Sequence, residues 1–223
     1  MTERDHGHDH GSDLYPGYDV LDKRDSPSWD AVTREVIARR LAVPREPRFF
    51  DAAEWQTLDA LCDRILPQPT HRPKVPLPAY VDAKITERHL DGYRYATLPP
   101  QGEAWKRGLT ALDREAADAH GAPFHALPPD RQDALVKLMQ EGKLTSDAWD
   151  GMPSKDFFEH RVIADITHAY YAHPTSWNEL GFGGPASPRG YVRMGLDRRD
   201  PWEAAEAKPG HEAQARRENT RGL

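Results

Sequence analysis

Proline placement constrains this chain more than any other feature. Twenty prolines are spread over 223 residues, and each removes a backbone donor and fixes φ, so helix interiors and central strands must fall between them. The stretch "LPQPTHRPKVPLP" puts five prolines into thirteen residues and excludes regular structure from Leu66 to Pro78. Between such breaks the apolar residues recur at three- and four-residue spacing, and no stretch alternates with period two. The pattern predicts an all-α chain: a compact bundle of five to six helices with a long extended, Pro/Gly-rich C-terminal strap and a flexible N-terminal arm.

Helix by helix, the punctuation is explicit. Ser26 as N-cap and Pro27 at the first position open a helix whose stripe is Trp29, Val32, Val36, Ile37 and Leu41, closed before Pro44. Asp51 and Glu54 form a capping-box pattern, flanked by Phe50 and Trp55 at the hydrophobic-staple positions. Trp55, Leu58, Leu61, Cys62 and Ile65 then make one apolar stripe up to Pro67. Further helices are expected from Pro78 to Leu90, around Trp105, Leu109, Leu112 and Ala116 up to Gly121, from Pro129 to Glu141, and from an N-cap at Ser154 through Ile166 and Tyr170. The expected organisation is a disordered His-rich tail over 1–25 containing His6, His8 and His10, a helical arm over 26–44, a helical domain over 49–172, the strap over 173–203 and a flexible tail over 204–223.

Composition excludes several function classes. Thirty basic against thirty-six acidic side chains give a net charge of -6, without the basic face that phosphate neutralisation needs, so no nucleic-acid partner is expected. Cys62 is the single cysteine, which rules out an intrachain disulfide and a thiolate metal cluster. On the apolar stripe, that thiol reads as buried and inert. No run of about 18 apolar residues exists for a transmembrane helix. Arg39-Arg40 lacks the apolar segment of a twin-arginine signal, so a cytoplasmic location is expected, with export alongside a partner left open.

The chemistry-bearing motifs are sparse. A di-iron site needs a Glu-x-x-His on each of two helices, and the sequence has it once, at Glu3 and His6 in the polar N-terminal tail; there is also no nucleophile elbow, no phosphate loop and no dinucleotide fingerprint. Asp165 and His168 share one helical face, and with His160 and His173 they outline one reading: a stand-alone helical enzyme, metal-dependent or cofactor-independent. The strap carries the other. Trp177, Phe182, Tyr191 and Trp202 are separated by glycine and proline, so each needs a pocket from the helices or from another chain.

Three blocks in order, "FFDAAEWQTLDALCDRILPQ", "WKRGLTALDREAADAHGAPFHALPPDRQDALV" and "FFEHRVIADITHAYYAHPTSWNELGFGGP", resemble the gluconate 2-dehydrogenase subunit 3 family across roughly Phe49 to Trp202. The resemblance implies a non-catalytic small subunit. Its partner would be a large FAD-dependent dehydrogenase of the glucose-methanol-choline type acting on a sugar, sugar acid or polyol, with electrons leaving through a cytochrome or another acceptor. It implies no cofactor and no metal in this chain, and FAD in the partner. His173, Pro174, Asn178 and Gly181 match the family's end motif and are expected to turn the last helix into the strap. The expected partner interface is His173, Pro174, Trp177, Asn178, Gly181, Phe182, Tyr191, Arg193 and Trp202.

Overall fold

A computed structural model describes residues 13–93, 95–187, 190 and 202–221. Among these residues the regular structure is entirely helical. The α-helices are α1 (Ala31–Leu41), α2 (Ala52–Ile65), α3 (Leu77–Thr86), α4 (Gln101–His120), α5 (Pro129–Gln140), α6 (Ser154–Phe157), α7 (Ala164–Tyr171), α8 (Pro174–Leu180) and α9 (Glu212–Asn219). A π-helical segment, Phe158–Ile163, makes α6 and α7 one continuous helix. The chain divides into two compact units: Val43–Gln68 with Pro76–Tyr170, and Met1–Ala42 with Pro69–Val75 and Tyr171–Leu223.

The central unit is built around α2 and α4. Asp51 adopts an extended conformation and accepts the Glu54 amide, while the Glu54 carboxylate accepts the Asp51 amide, each at 2.9 Å. This is the reciprocal cap that the sequence announces. The chain entering α2 is held by a second carboxylate. Asp82, 1% exposed on α3, accepts the amides of Arg48, Phe49 and Phe50 and so satisfies three donors that no helix could serve. Phe50 then meets the Trp105 ring edge-on at 6.4 Å.

Close packing of α4 against α6 depends on one missing side chain. Gly108 lies on the buried face of α4, and a β-carbon there would fall within the Phe157 ring. With that gap filled by Phe157, Trp105 packs edge-on to the same ring at 5.3 Å. Leu58, Leu61, Leu109, Leu112, Phe124, Val162 and Ile166 complete a core with no solvent exposure. Cys62 is buried among them, and burial pushes its thiol well above the ordinary cysteine range, followed by the nearby Asp59 and Asp63 charges. α4 ends as expected at Gly121, whose φ of 76° suits a residue without a β-carbon.

The second unit differs from expectation at its start. Residues 20–25, assigned from sequence to a disordered tail, form a 3-10 helix that buries Val20 and Lys23 completely. Ser26 closes that helix rather than opening α1. Asp30 is the cap of α1, accepting the Thr33 amide at 2.7 Å, because a carboxylate in extended conformation reaches the amide three residues on. Of the expected stripe, Trp29 and Ile37 are buried, while Val32 is 68% exposed. Ser154 is likewise a first helical residue, with its hydroxyl donating to the Leu144 carbonyl.

The strap is not extended from its beginning. Pro174 does not merely stop α7: it occupies the first turn of α8, with His173 as N-cap, where its missing N–H costs nothing. The tail expected to be flexible over 204–223 contains α9. His6, His8, His10, Tyr191, Arg193 and the rest of 191–200 lie outside the described residues.

Two substitutions test this account. Asp51→Ala is expected to destabilise the chain by about 1 kcal/mol, read as a lower urea midpoint with an unchanged slope. Gly108→Ala, which would ordinarily favour a helix, is expected to cost about 2 kcal/mol because Phe157 must move. A neutral or stabilising effect would mean that the α4–α6 contact is looser than described.

Candidate functional site

A buried polar network lies in the central unit, where α3, α4 and the α6–π–α7 helix bring their side chains together. Asp165, 3% exposed, accepts from Lys84 Nζ at 2.7 Å, from Gln101 Nε2 at 2.9 Å and from Trp105 Nε1 at 2.7 Å. The Lys84 ammonium also donates to Asp91 at 2.8 Å, and Asp91 accepts in turn from the Arg161 guanidinium at 2.7 Å. Two cations and two carboxylates thus alternate through the protein. The Arg161 Nη1 pairing is made from a side chain only 2% exposed, and among the described residues its Nε has no partner.

Electrostatics follow from that alternation. Burial alone would lower the Lys84 pKa, but hydrogen bonds and charges of Asp165 and Asp91 outweigh it and raise the ammonium above its ordinary value. Burial would raise Asp91, yet Lys84 and Arg161 reverse the sign and hold its carboxyl below the usual range. A depressed carboxyl contributes stability that is present above about pH 4 and is lost as pH falls through the folded value. A raised ammonium contributes stability below about pH 10 that is lost as pH rises through its folded value. The network is therefore intact throughout the neutral range.

Beside the network is an open pocket of about 420 Å³ whose lining includes Lys84, His89, Asp91, Glu159, His160, Asp165 and His168, with the rings of Tyr93 and Tyr95. The Tyr95 ring lies flat on His160 at 3.6 Å and 6°. Tyr93 stands edge-on to Tyr95 at 5.5 Å.

The structure brings His160, Asp165 and His168 to this one pocket. It does not offer them as a catalytic set. Asp165 is committed to three donors, and the His160 ring is covered on one face by Tyr95. No group of three or more His, Cys, Asp or Glu side chains among the described residues could hold a metal. His173 belongs to the other unit, where its Nδ1 accepts the Thr175 amide at 3.1 Å. Lys84, Asp91, Tyr93, Tyr95 and Arg161 were not among the sequence-derived candidates. Asp91 and Arg161 stand 70 residues apart, so no local pattern pairs them.

In the second unit, four of the strap residues turn inward. His173, Trp177 and Asn178 are 4%, 5% and 9% exposed, and Pro174 is buried with them. Asn178, expected to shape the turn, instead reaches back to the N-terminal segment: its Oδ1 accepts the Val20 amide at 2.7 Å and its Nδ2 donates to Asp19 at 3.0 Å. Lys23 Nζ donates to the Gly183 carbonyl at 2.6 Å, and Trp29 Nε1 to that of Pro185 at 3.0 Å. Gly181 has the expected positive φ, 66°, and a β-carbon there would strike the Tyr15 ring. Trp177, Val20, Trp29, Ile37 and Ala204 form this unit's core. Leu180 and Phe182 remain 49% and 42% exposed beside a cleft of about 830 Å³ that also involves Tyr15 and α9, and Trp202 is half-buried.

Asp91→Asn removes the carboxylate between Lys84 and Arg161 while keeping its shape. It is expected to cost about 2 kcal/mol at pH 7, with the difference from the unchanged protein narrowing as pH falls below about 4. Denaturant titrations at pH 7 and pH 3 measure both, and an equal loss at the two pH values would show that Asp91 acts through packing instead.

No helix among the described residues is long and apolar enough to cross a membrane. Searches of curated proteins and of solved structures found no match. The model of one protein family, described as gluconate 2-dehydrogenase subunit 3, matches residues 52–184. The match runs from the first turn of α2, through the Asp165 network, to the positive-φ glycine after Phe182, and covers more than half of the chain. The chain therefore belongs to the gluconate 2-dehydrogenase subunit 3 family, an accessory-subunit family whose members imply a complex with a dehydrogenase.

Proposed function

We propose that this chain binds and stabilises a large FAD-dependent dehydrogenase of the glucose-methanol-choline type, and that it performs no catalysis alone. The partner carries the FAD, oxidises a sugar, sugar acid or polyol, and passes its electrons to a cytochrome or another acceptor. Membership of the subunit family carries this reading. Two features of the chain support it. The best candidate acid or base, Asp165, is consumed by Lys84, Gln101 and Trp105, and exposed apolar side chains are available for a partner.

The internal role of Asn178 and Trp177 refines where the strap meets that partner. Removing the chain after Ala172 would take away side chains that hold Val20, so truncation would damage the second unit as well as any interface. Among the described strap residues, Leu180 and Phe182 can serve an interface from exposed positions, with the Phe182 ring edge-on to Trp177 at 5.7 Å. Aromatic anchors held in one rotamer bind at low entropic cost.

The experiment is purification of a tagged chain from its source, with identification of what accompanies it. A stoichiometric flavoprotein dehydrogenase is expected, together with a flavin spectrum that belongs to that partner and is absent from the isolated chain. Leu180→Asn with Phe182→Ser is expected to weaken the complex at least about tenfold and leave the helical circular dichroism unchanged. Turnover of a sugar or polyol by the isolated chain, or one equivalent of flavin bound to it, would falsify the proposal.

A further inference from the structure

The first part of the strap is fastened, residue after residue, to the N-terminal segment of the chain. Asn178 accepts the Val20 amide and donates to Asp19. The Tyr15 ring fills the space that a β-carbon at Gly181 would need, the Gly183 carbonyl accepts from Lys23, and the Pro185 carbonyl accepts from the Trp29 indole. At the end of the series the Asp30 amide donates to the Ser187 carbonyl at 3.0 Å, and the Ser187 hydroxyl donates to the Asp30 carboxylate at 3.1 Å. Leu180 and Phe182 stand between these fixed points and stay exposed.

Neither side of this closure has enough regular structure to stand by itself. α8 is seven residues long and the 3-10 helix opposite it six, lengths at which an isolated helix does not persist in water. Each segment is therefore ordered by the other. The N-terminal side cannot act by touching a partner at these points, because Val20 and Lys23 are 0% exposed and Trp29 is 2% exposed. It also lies outside residues 52–184, the stretch that the family model matches, whereas Asn178 and Gly181 lie inside it. The matched end of the chain is thus held in position by residues that the match does not include.

We infer that residues 15–30 are the positioning element of the partner surface. They hold the backbone of 178–185 so that Leu180 and Phe182 meet the dehydrogenase subunit in one arrangement, and the paired Asp19 and Asn178 side chains are the clasp. The inference rests on the reading of Leu180 and Phe182 as anchors for that subunit. A strap released from the clasp keeps both anchors, but it must be ordered again at the moment of binding. Apparent affinity then falls in proportion to the fraction of chains in which the strap is closed.

The test pairs amide hydrogen exchange on the isolated full-length chain with dissociation constants for its complex with the dehydrogenase subunit. The Phe182 amide donates to the Trp177 carbonyl at 2.8 Å, so its exchange reports opening of the strap. Asn178→Asp keeps the acceptor for Val20 but sets a second carboxylate against Asp19. It is expected to leave about one chain in ten closed, which removes the protection of the Phe182 amide and weakens binding about tenfold. Exchanging the pair, Asp19→Asn with Asn178→Asp, again faces one amide donor with one carboxylate, and is expected to return binding to within about threefold and to restore protection. Should Asn178→Asp fail to fold by circular dichroism, Val20→Ala with Trp29→Phe is read in the same two measurements. That variant is expected to speed Phe182 exchange at least about tenfold and to weaken binding about threefold. Unchanged exchange in both variants, an unprotected Phe182 amide with unchanged affinity, or a swap that restores neither reading would each overturn the inference while leaving the subunit reading intact. If Leu180→Asn with Phe182→Ser leaves the complex at full strength, the anchor reading falls and the inference with it.

Discussion

The central unit depends on a single buried carboxylate. Asp165 accepts from Lys84 on α3 and from Gln101 and Trp105 on α4, so one side chain ties three helices, through two donors that are buried and one that is partly exposed. A carboxylate with three good donors is stable in a low-dielectric interior. The same carboxylate with one donor missing would be a liability, because the remaining charge and the orphaned donor would both be left dry. This makes the positions of the three helices mutually conditional. Trp105 illustrates the coupling: its indole N–H serves Asp165, its ring meets Phe157, and Phe157 reaches it only because position 108 is glycine.

Carboxylates perform the same service elsewhere in this unit. Asp82 collects three amides before α2, Asp113 accepts from Thr57 and from the Phe124 amide, and Glu115 accepts from Trp149 and the Ser146 amide. A chain with 38% apolar residues and many proline-broken connections has many backbone donors outside helices, and acidic side chains on neighbouring helices satisfy them. The abundance of Asp and Glu, which in sequence reads as a solvated surface, is in part internal scaffolding.

The second unit uses a different device, the pairing of segments far apart in sequence. Asn178, Lys23 and Trp29 stitch residues 18–29 to residues 178–185 across some 150 residues, and Gly181 and Gly184 allow Tyr15 and Val20 to approach the backbone. A strap with isolated rings looks, in one dimension, like an arm waiting for another protein. Its buried members are in fact part of the core of a small unit, and among its described residues Leu180 and Phe182 stay exposed beside that core.

What the sequence determined by itself was everything governed by local chemistry. The helical class, α2 with its Asp51–Glu54 box, α4 with its terminal Gly121, and α5 opening on proline all follow from interactions within four residues, and the ordered blocks of apolar and turn residues were sufficient to carry the family. The errors at Ser26 and Ser154 were local too: several polar residues near a helix start can cap it, and packing chose Asp30 in the one case and gave the Ser154 hydroxyl to the Leu144 carbonyl in the other. Only the tertiary structure decided that Asp165 is a hub and not a ligand, that Asp91 meets Arg161 at 70 residues' separation, that Asn178 pins Val20, and that the last long helix widens into a π turn. Each of these depends on which distant donor lies within about 3 Å of which acceptor. Hydrophobic spacing says which face of a helix turns inward, but it does not say which partner is waiting there.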